Sequence, residues 1–415
     1  MIKRILLNIL FGCLGLVIAL LLMEVFIRFA GVTGADGQFS FRGYPLEPYA
    51  LNVEGLHRVV DSYVENESKA TLIYDESAGW AHRPNSISQE GSFTVNAGGL
   101  RSQVDYDQYP RHDTLRIAAF GDSFVAGVGV NDDQVWVKRL EVELNRLGMR
   151  VETLNFGVGG YGMDQAYIRW QNLGRAYKPD LVLFAFQPEN LDRNVNVFRP
   201  LYYRRVAVPF SKPRFVLHND QLALLNVPTL PTAELKSVYS SFESHPLAAY
   251  EAHYESHEFV SQWWAASRLA SFINALVKSH GGAKLDYGPG SERGELGKAI
   301  VDAFAESVKS GEAEFIVVHL PQREHLQNLL DGNVSPFSYL LNHINENYRY
   351  VDMVDHLGSQ HTEGRFYDAT HHYGTEINHL VALTLASEIA ECVKNASCRL
   401  PRFTDTETLF FHRQE

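Results

Sequence analysis

Cysteine is scarce in this chain, and basic residues are outnumbered. Three cysteines in 415 residues exclude a disulfide-built scaffold, and no spacing of cysteine with histidine resembles a zinc site, so no metal or other cofactor is expected. Lysine and arginine number 37 against 49 aspartates and glutamates, a formal net charge of -12. Binding to a phosphate backbone relies on the opposite excess, so nucleic acid is not an expected partner. Low-complexity tracts and repeats of solenoid period are missing, which excludes fibrous, disordered and array architectures. What is present is ordinary globular composition, 45% hydrophobic and 21% charged, with a length that suits two to three domains or one domain with insertions.

Long apolar runs are confined to the first thirty residues. Lys3 and Arg4 precede Ile5 to Met23, a stretch of 19 residues whose one polar member is Asn8. As a helix it is about 28 Å long, enough to cross a hydrocarbon core of about 30 Å. The leading positive charges predict a cytoplasmic N-terminus in an inner (plasma) membrane, with a single pass and everything after residue 30 periplasmic or extracellular. Glu24 and Arg28 are then expected near the outer interface. A cleaved signal peptide is the alternative, since "AGVTGA" supplies small residues, but the apolar run exceeds the usual 7 to 15 residues of such a signal. Cys392 and Cys398, six apart, can close a small disulfide in an oxidising compartment, with two free thiols as the alternative.

Beyond the anchor, 31–110 mixes Gly, Pro and Tyr in no regular pattern and is expected to form a β-rich or irregular extension. From there strand and helix signals alternate. "LRIAAFGDS", "RVETLNFGVGG", "PDLVLFAFQ", "AEFIVVHLP" and "YRYVDMV" have the look of strands, and amphipathic stretches such as "DDQVWVKRLEVELNRLG" lie between them. That rhythm predicts βαβ units and a doubly wound parallel sheet covered on both faces, a three-layer α/β core over 111–198 and 295–396. The interruption, 199–294, is expected to be a cap over the carboxyl ends of the strands, with a helix of aromatic face around Trp263 and Trp264 and a tail over 397–415 beyond the core. His253 and His257, four apart in the cap, share a spacing suited to metal ligands but lack a third ligand, and a solvated helix face is the simpler reading.

In an open parallel sheet the ligand crevice lies at the carboxyl ends of the strands. Four polar places fall there: Ser123 in "FGDSF", the loop "NFGVGGYG", "FQPEN", and "YDATHHYG" before the last helix. A serine hydroxyl is a poor nucleophile until a base takes its proton and a third group orients the base. Asp368 lies three residues before His371 and four before His372, so one turn can supply both partners. The N–H of Ser123 at a helix start, Gly160 in a glycine-rich loop and the Asn190 amide are candidate donors to a developing oxyanion. Taken singly, each has a plain alternative: a helix cap for the serine, a tight turn for the glycines, an Asx turn for Asn190.

These four blocks, in order, resemble the SGNH or GDSL family of serine hydrolases, over about 111–198 and 313–392. "GWAHRPN" and "VNAGGLR" upstream look like segments that precede the core in membrane-anchored bacterial members. The resemblance implies a flavodoxin-like architecture (the SGNH hydrolase fold) and a Ser-His-Asp hydrolase with Ser123 as nucleophile and the Ser123 N–H, Gly160 and Asn190 as its oxyanion hole. Two departures stand out: Asn190 is followed by Leu191 where family members usually have Asp, and the last block offers two histidines. The usual Asp-x-x-His spacing selects His371, whereas counting back from "NHLVA" selects His372, the preferred choice. No Gly-x-Ser-x-Gly elbow occurs in the chain, which argues against the α/β-hydrolase fold. The expected activity is hydrolysis of acetyl or short acyl esters on a small molecule or an envelope or exported glycan. Acyl transfer to a polysaccharide hydroxyl and non-catalytic glycan binding are the alternatives, and a water-excluding cap at Trp263 and Trp264 would favour transfer.

Overall fold

Five short apolar runs form one parallel sheet in the computed structural model, which describes residues 2–33, 39–46, 53–88, 90–203, 208–254, 266–281, 285–368, 371–398, 400–403 and 409. The strands are β1 (Leu115–Phe120), β2 (Val151–Asn155), β3 (Leu181–Phe186), β4 (Glu314–His319) and β5 (Arg349–Asp352). Their spatial order is β2-β1-β3-β4-β5, the flavodoxin-like order of a doubly wound sheet. β1 and β3 are buried at every position, as strands must be when helices cover both faces. Side chains alternate between two cores. Leu115, Ile117, Leu181 and Leu183 face helices Trp136–Arg146 and Thr375–Lys394; Phe120, Val182, Phe184 and Phe186 face helices Met163–Asn172 and Glu292–Ser310. Each large apolar side chain so buried contributes about 1.5–3 kcal/mol. Phe120 gains more from ring geometry, stacking on Phe156 at 4.6 Å and meeting Trp170 edge-on.

The winding reverses at β1. The chain passes from β1 to β2 on one side and later enters β3 on the other, so the two connections diverge and leave a crevice at the carboxyl ends of β1 and β3.

The chain divides into two compact units, Met1–Arg58 with Tyr254–Leu285, and Val59–His253 with Asp286–Glu415. The sheet belongs to the second. In the first, helix Ile2–Ala30 holds a stretch, Lys3–Ala30, containing an 18-residue window of mean hydropathy 2.8, long and apolar enough to cross a membrane and alone in this among the described residues. That measure suits an anchor and a signal sequence alike. Glu24, expected at a membrane interface, caps a second helix, Arg268–Gly281. Its carboxylate accepts from Ser267 Oγ at 2.8 Å and from the N–H groups of Arg268 and Leu269 at 3.1 and 2.8 Å, satisfying donors a helix start leaves open. Ile27, Phe41 and Leu46 form a small core with Leu269 and Phe272.

The interval 199–294 is therefore shared: 254–285 lie in the first unit, and 199–253 and 286–294 in the second. Its hairpin, Arg214–His218 and Gln221–Leu225, turns through Asn219 and Asp220, both at positive φ. His253 places Nε2 3.1 Å from the Asp192 carbonyl. His257, Trp263 and Trp264 fall outside the described residues. Residues 31–110 contain hairpins at Leu72–Asp75 with Gly79–His82 and at Ser86–Ile87 with Thr94–Val95. They also hold a 14-residue helix, Val53–Asn66, whose Leu56, Val60 and Tyr63 are buried at helical spacing. Cys392 and Cys398 are disulfide-bonded, with Cα atoms 5.2 Å apart.

Candidate active site

β1 ends at Phe120, and the chain turns at once into a one-turn helix, Ser123–Ala126. Asp122 is its cap, accepting the Phe124 N–H at 2.9 Å. Ser123 is thus the first helical residue, its N–H pointing out of the helix start. The last block returns to it. Tyr367 and Tyr373 bridge across a tight loop, in which Asp368 Oδ1 accepts the His372 N–H at 2.8 Å. His372 Nε2 comes to 2.8 Å from Ser123 Oγ, a normal hydrogen-bond length and the reach a general base needs. His372 Nδ1 lies 3.9 Å from Asp368 Oδ1, longer than a hydrogen bond. His371 stands beside it, exposed, at φ +67°, and makes no such approach. Gly129 secures the loop. A Cβ there would meet Asp368 Oδ2 at 2.2 Å, and its φ is +91°, so only glycine lets the chain pass this close at this dihedral.

Burial pushes the His372 imidazole below the usual 6.5, and the Asp368 charge acts in the opposite direction. The ring is held against Phe124, centroids 5.1 Å apart.

The third block does something the spacing does not reveal. Asn190 is 2% exposed. Its Nδ2 donates to Asp122 Oδ2 at 3.0 Å and towards the Tyr161 carbonyl at 3.4 Å. Both amide hydrogens are thereby committed, and Asn190 does not line the cleft that holds Ser123. Asp122 Oδ2 also accepts from Gln187 Nε2 at 2.5 Å and from Arg193 Nη1 at 2.8 Å. Asp122 is therefore a buried junction tying the Ser123–Ala126 helix to the end of β3. It sits inside the Gly-Asp-Ser block, but its partners lie 65 to 71 residues away. Leu191, which stands where the family usually has Asp, is fully buried. It packs so closely on Gly297 that a Cβ there would meet Leu191 Cδ2 at 2.3 Å.

The second block supplies backbone. Gly160 adopts φ +81°, and among the described residues neither its N–H nor that of Ser123 has an acceptor. Trp80 Nε1 donates to the Gly159 carbonyl at 2.9 Å, and Tyr161 OH donates to the Trp80 carbonyl at 2.6 Å. His82 Nε2 lies 3.2 Å from the Gly157 carbonyl. Burial lowers the His82 pKa to about 3, so the ring is neutral at physiological pH. Arg101 takes the loop after Ser123, reaching the carbonyls of Ala126, Gly127 and Val130 and Asp132 at 3.0 Å. The upstream "GWAHRPN" and "GGLR" segments thus clamp the loops of both blocks. Their roles rest on contacts 25 to 81 residues apart, out of reach of a local pattern.

Ser123, Gly160, Gln187, Arg193, Arg199 and His372 line one cleft of about 440 Å³ at the crevice between β1 and β3. Arg193 keeps its charge: burial works against it, and the charges of Glu189 and Asp122 raise its pKa regardless. This arrangement holds an imidazole of lowered pKa on a hydroxyl, with the unengaged N–H groups of Ser123 and Gly160 on residues that line the same cleft.

No protein-family model matches the chain, and no curated protein matches it. Solved structures do. The chain is similar to GDSL-type lipolytic enzymes. A protein of the G-D-S-L family from Desulfitobacterium hafniense DCB-2, described as lipolytic, is 13% identical, with 66% of this chain and 98% of that one covered at a TM-score of 0.32. The psychrotrophic esterase EstA from Pseudoalteromonas sp., in a structure inhibited by monoethylphosphonate, is 10% identical, with coverage of 68% and 99% and a TM-score of 0.34. A lipase/acylhydrolase from Enterococcus faecalis is 12% identical, with coverage of 69% and 98% and a TM-score of 0.33.

Proposed function

We propose that this protein is a serine-dependent acyl-ester hydrolase. The observation that carries the reading is the 2.8 Å approach of His372 Nε2 to Ser123 Oγ in a cleft that also presents Gly160. In the proposed reaction His372 takes the hydroxyl proton as Ser123 Oγ attacks the ester carbonyl. The resulting oxyanion is held by the N–H groups of Ser123 and Gly160, in surroundings that make such donors worth several kcal/mol. The protonated His372 then gives its proton to the departing alcohol oxygen, leaving an acyl-serine. Water, activated by the same imidazole, releases the acid and regenerates Ser123. Asp368 orients and stabilises the imidazolium, closing from 3.9 Å as charge forms on the ring. Asn190 acts through Asp122 as a positioning residue, not as a donor to the oxyanion. We place the catalytic unit on the periplasmic or outer side of an inner membrane, anchored by helix Ile2–Ala30, with short-chain esters of envelope glycans as substrates. Covalent labelling of Ser123 by an alkyl phosphonate, read by peptide mass spectrometry, tests the nucleophile directly; label on another residue or none at all would overturn it.

Two consequences follow from the geometry. The base works only as neutral imidazole, and burial lowers the pKa of His372. Activity must therefore persist as pH falls past 6.5, and the acid limb of kcat/KM lies below that value. A limb at or above it would contradict the assignment of His372. Gly129→Ala is expected to displace the Asp368 carboxylate, since the new methyl would sit 2.2 Å from Oδ2. A shift of about 1 Å in a supporting group costs about 10²-fold in rate. Steady-state kinetics with circular dichroism should show that loss in a folded protein; kcat/KM within three-fold of wild type would show that the carboxylate position is unimportant.

A further inference from the structure

Two arginines face the cleft, and their surroundings differ. Arg193 is bonded to Asp122 at 2.8 Å and lies 3.7 Å from Glu189. Arg199 has no carboxylate within ion-pair distance among the described residues, although it is only 7% exposed. Its guanidinium makes no hydrogen bond to a described residue, and Nη1 is enclosed without a partner. The nearby acids are engaged elsewhere. Glu189 accepts from Tyr202 OH at 2.6 Å and from Gln322, and Asp122 is saturated by the donors described above. Glu324, which also lines the cleft, is exposed.

What holds Arg199 is aromatic and backbone surface. Its Cζ lies 5.3 Å from the Tyr202 ring centre and 5.2 Å from that of Tyr203, within cation–π range. A Cβ built on Gly160 would be 3.3 Å from Nη2 and 3.4 Å from both Cζ and Nε. Three guanidinium atoms at nearly equal range mean that the planar group lies over the Gly160 backbone, next to the donor assigned to the oxyanion. Burial and the charge of Arg193 hold its pKa down to about 10, with Tyr202 and the Glu189 charge acting in the opposite direction, so it is still a cation at neutral pH. A buried cation with a planar fork of N–H donors and no carboxylate in contact with it is costly to maintain. Carboxylates and phosphates are the groups that match this fork in two-point geometry.

We infer that the cleft takes an ester carrying a fixed negative charge close to its scissile carbonyl, and that Arg199 binds that charge. The inference rests on the hydrolase reading for the word ester, whereas anion binding stands independently of it. The charge can reside on the acyl part, as in a dicarboxylic half-ester, or on the alcohol part, as in an acylated acidic sugar or a phosphate-bearing alcohol.

Paired substrates separate these sources. 4-Nitrophenyl hemisuccinate against 4-nitrophenyl butyrate varies charge on the acyl side, and an O-acetylated methyl glucuronoside against the corresponding methyl glucoside varies it on the alcohol side. Full-length wild type in detergent should favour the anionic member of one pair by about ten-fold or more in kcat/KM, the discrimination expected of hydrogen bonds to a charged group. Arg199→Gln should collapse that ratio, with Arg199→Lys restoring part of it. A ratio unchanged in Arg199→Gln, or a wild type that favours the neutral members of both pairs, overturns the proposal. Calorimetric titration of wild type with succinate, glucuronate, inorganic phosphate and glucose gives the answer even if no ester is hydrolysed or the variant does not fold. Binding of an anion in preference to glucose supports the site, and no preference overturns it. Absence of ester hydrolysis alongside anion binding would instead sink the hydrolase reading alone.

Discussion

Ser123→Ala is expected to lower kcat for ester hydrolysis by about 10⁴- to 10⁶-fold, the usual loss when a serine nucleophile is removed from a cooperating set. The substitution deletes one oxygen at a position 7% exposed. It leaves the Asp122 cap on the Phe124 N–H and the Ser123–Ala126 helix intact, so circular dichroism and thermal unfolding should match wild type. The readout is initial rate on aryl acetate and on longer acyl esters, which also ranks chain length. A variant within ten-fold of wild type would mean that Ser123 is not the nucleophile. Wild type and variant both inactive towards water, with wild type alone becoming active once a sugar hydroxyl is added, would move the reading to acyl transfer.

Asp122→Asn carries the largest expected cost to stability. Asp122 is 1% exposed, and its Oδ2 accepts from Gln187, Asn190 and Arg193. Asparagine keeps the shape and can still cap the Phe124 N–H, but it removes the charge that Arg193 needs, leaving Glu189 at 3.7 Å as the nearest carboxylate. Breaking a buried ion pair from one side costs about 3–5 kcal/mol. Urea unfolding should therefore show a lower midpoint at unchanged slope, with activity falling as well because the same junction positions the Ser123 helix. A loss under about 1 kcal/mol would show that Arg193 is satisfied by Glu189 and that the junction is not structural. Asp122→Ala should add about 1 kcal/mol for the lost cap.

Much of this protein is written in short-range patterns. The runs that became β1, β3 and β4 are apolar over 4–6 consecutive residues, and burial on both faces of a parallel sheet is what such runs encode. The helices between them repeat at helical spacing, so the doubly wound class and the crevice at the strand ends could be read directly. The proposed triad, Ser123, Asp368 and His372, was legible as a candidate for the same reason: each sits in a block that ends a strand or precedes a helix. The four-residue step from Asp368 to His372 lies within one loop. The long apolar N-terminal helix, too, needs only counting.

Other features depend on which distant surfaces meet. Glu24 is a membrane-edge residue by position, yet it caps a helix 243 to 245 residues later. The helix Val53–Asn66 was hidden because its apolar side is one narrow stripe among polar residues. Asn190 had the chemistry of an oxyanion donor, but its two amide hydrogens are spent on Asp122 and Tyr161. Trp80 and Arg101 gain their roles from carbonyls in loops far along the chain. Arg199 is an ordinary surface-type residue in the string "FRPLYYRR", and only folding buries its charge against Gly160. Apolar periodicity is a property of neighbours along the chain, so sequence alone specified the layers, the strand ends and the candidate reacting groups on them. Hydrogen bonds and ion pairs between polar groups have no such period, and which donor meets which acceptor was set only when the layers closed.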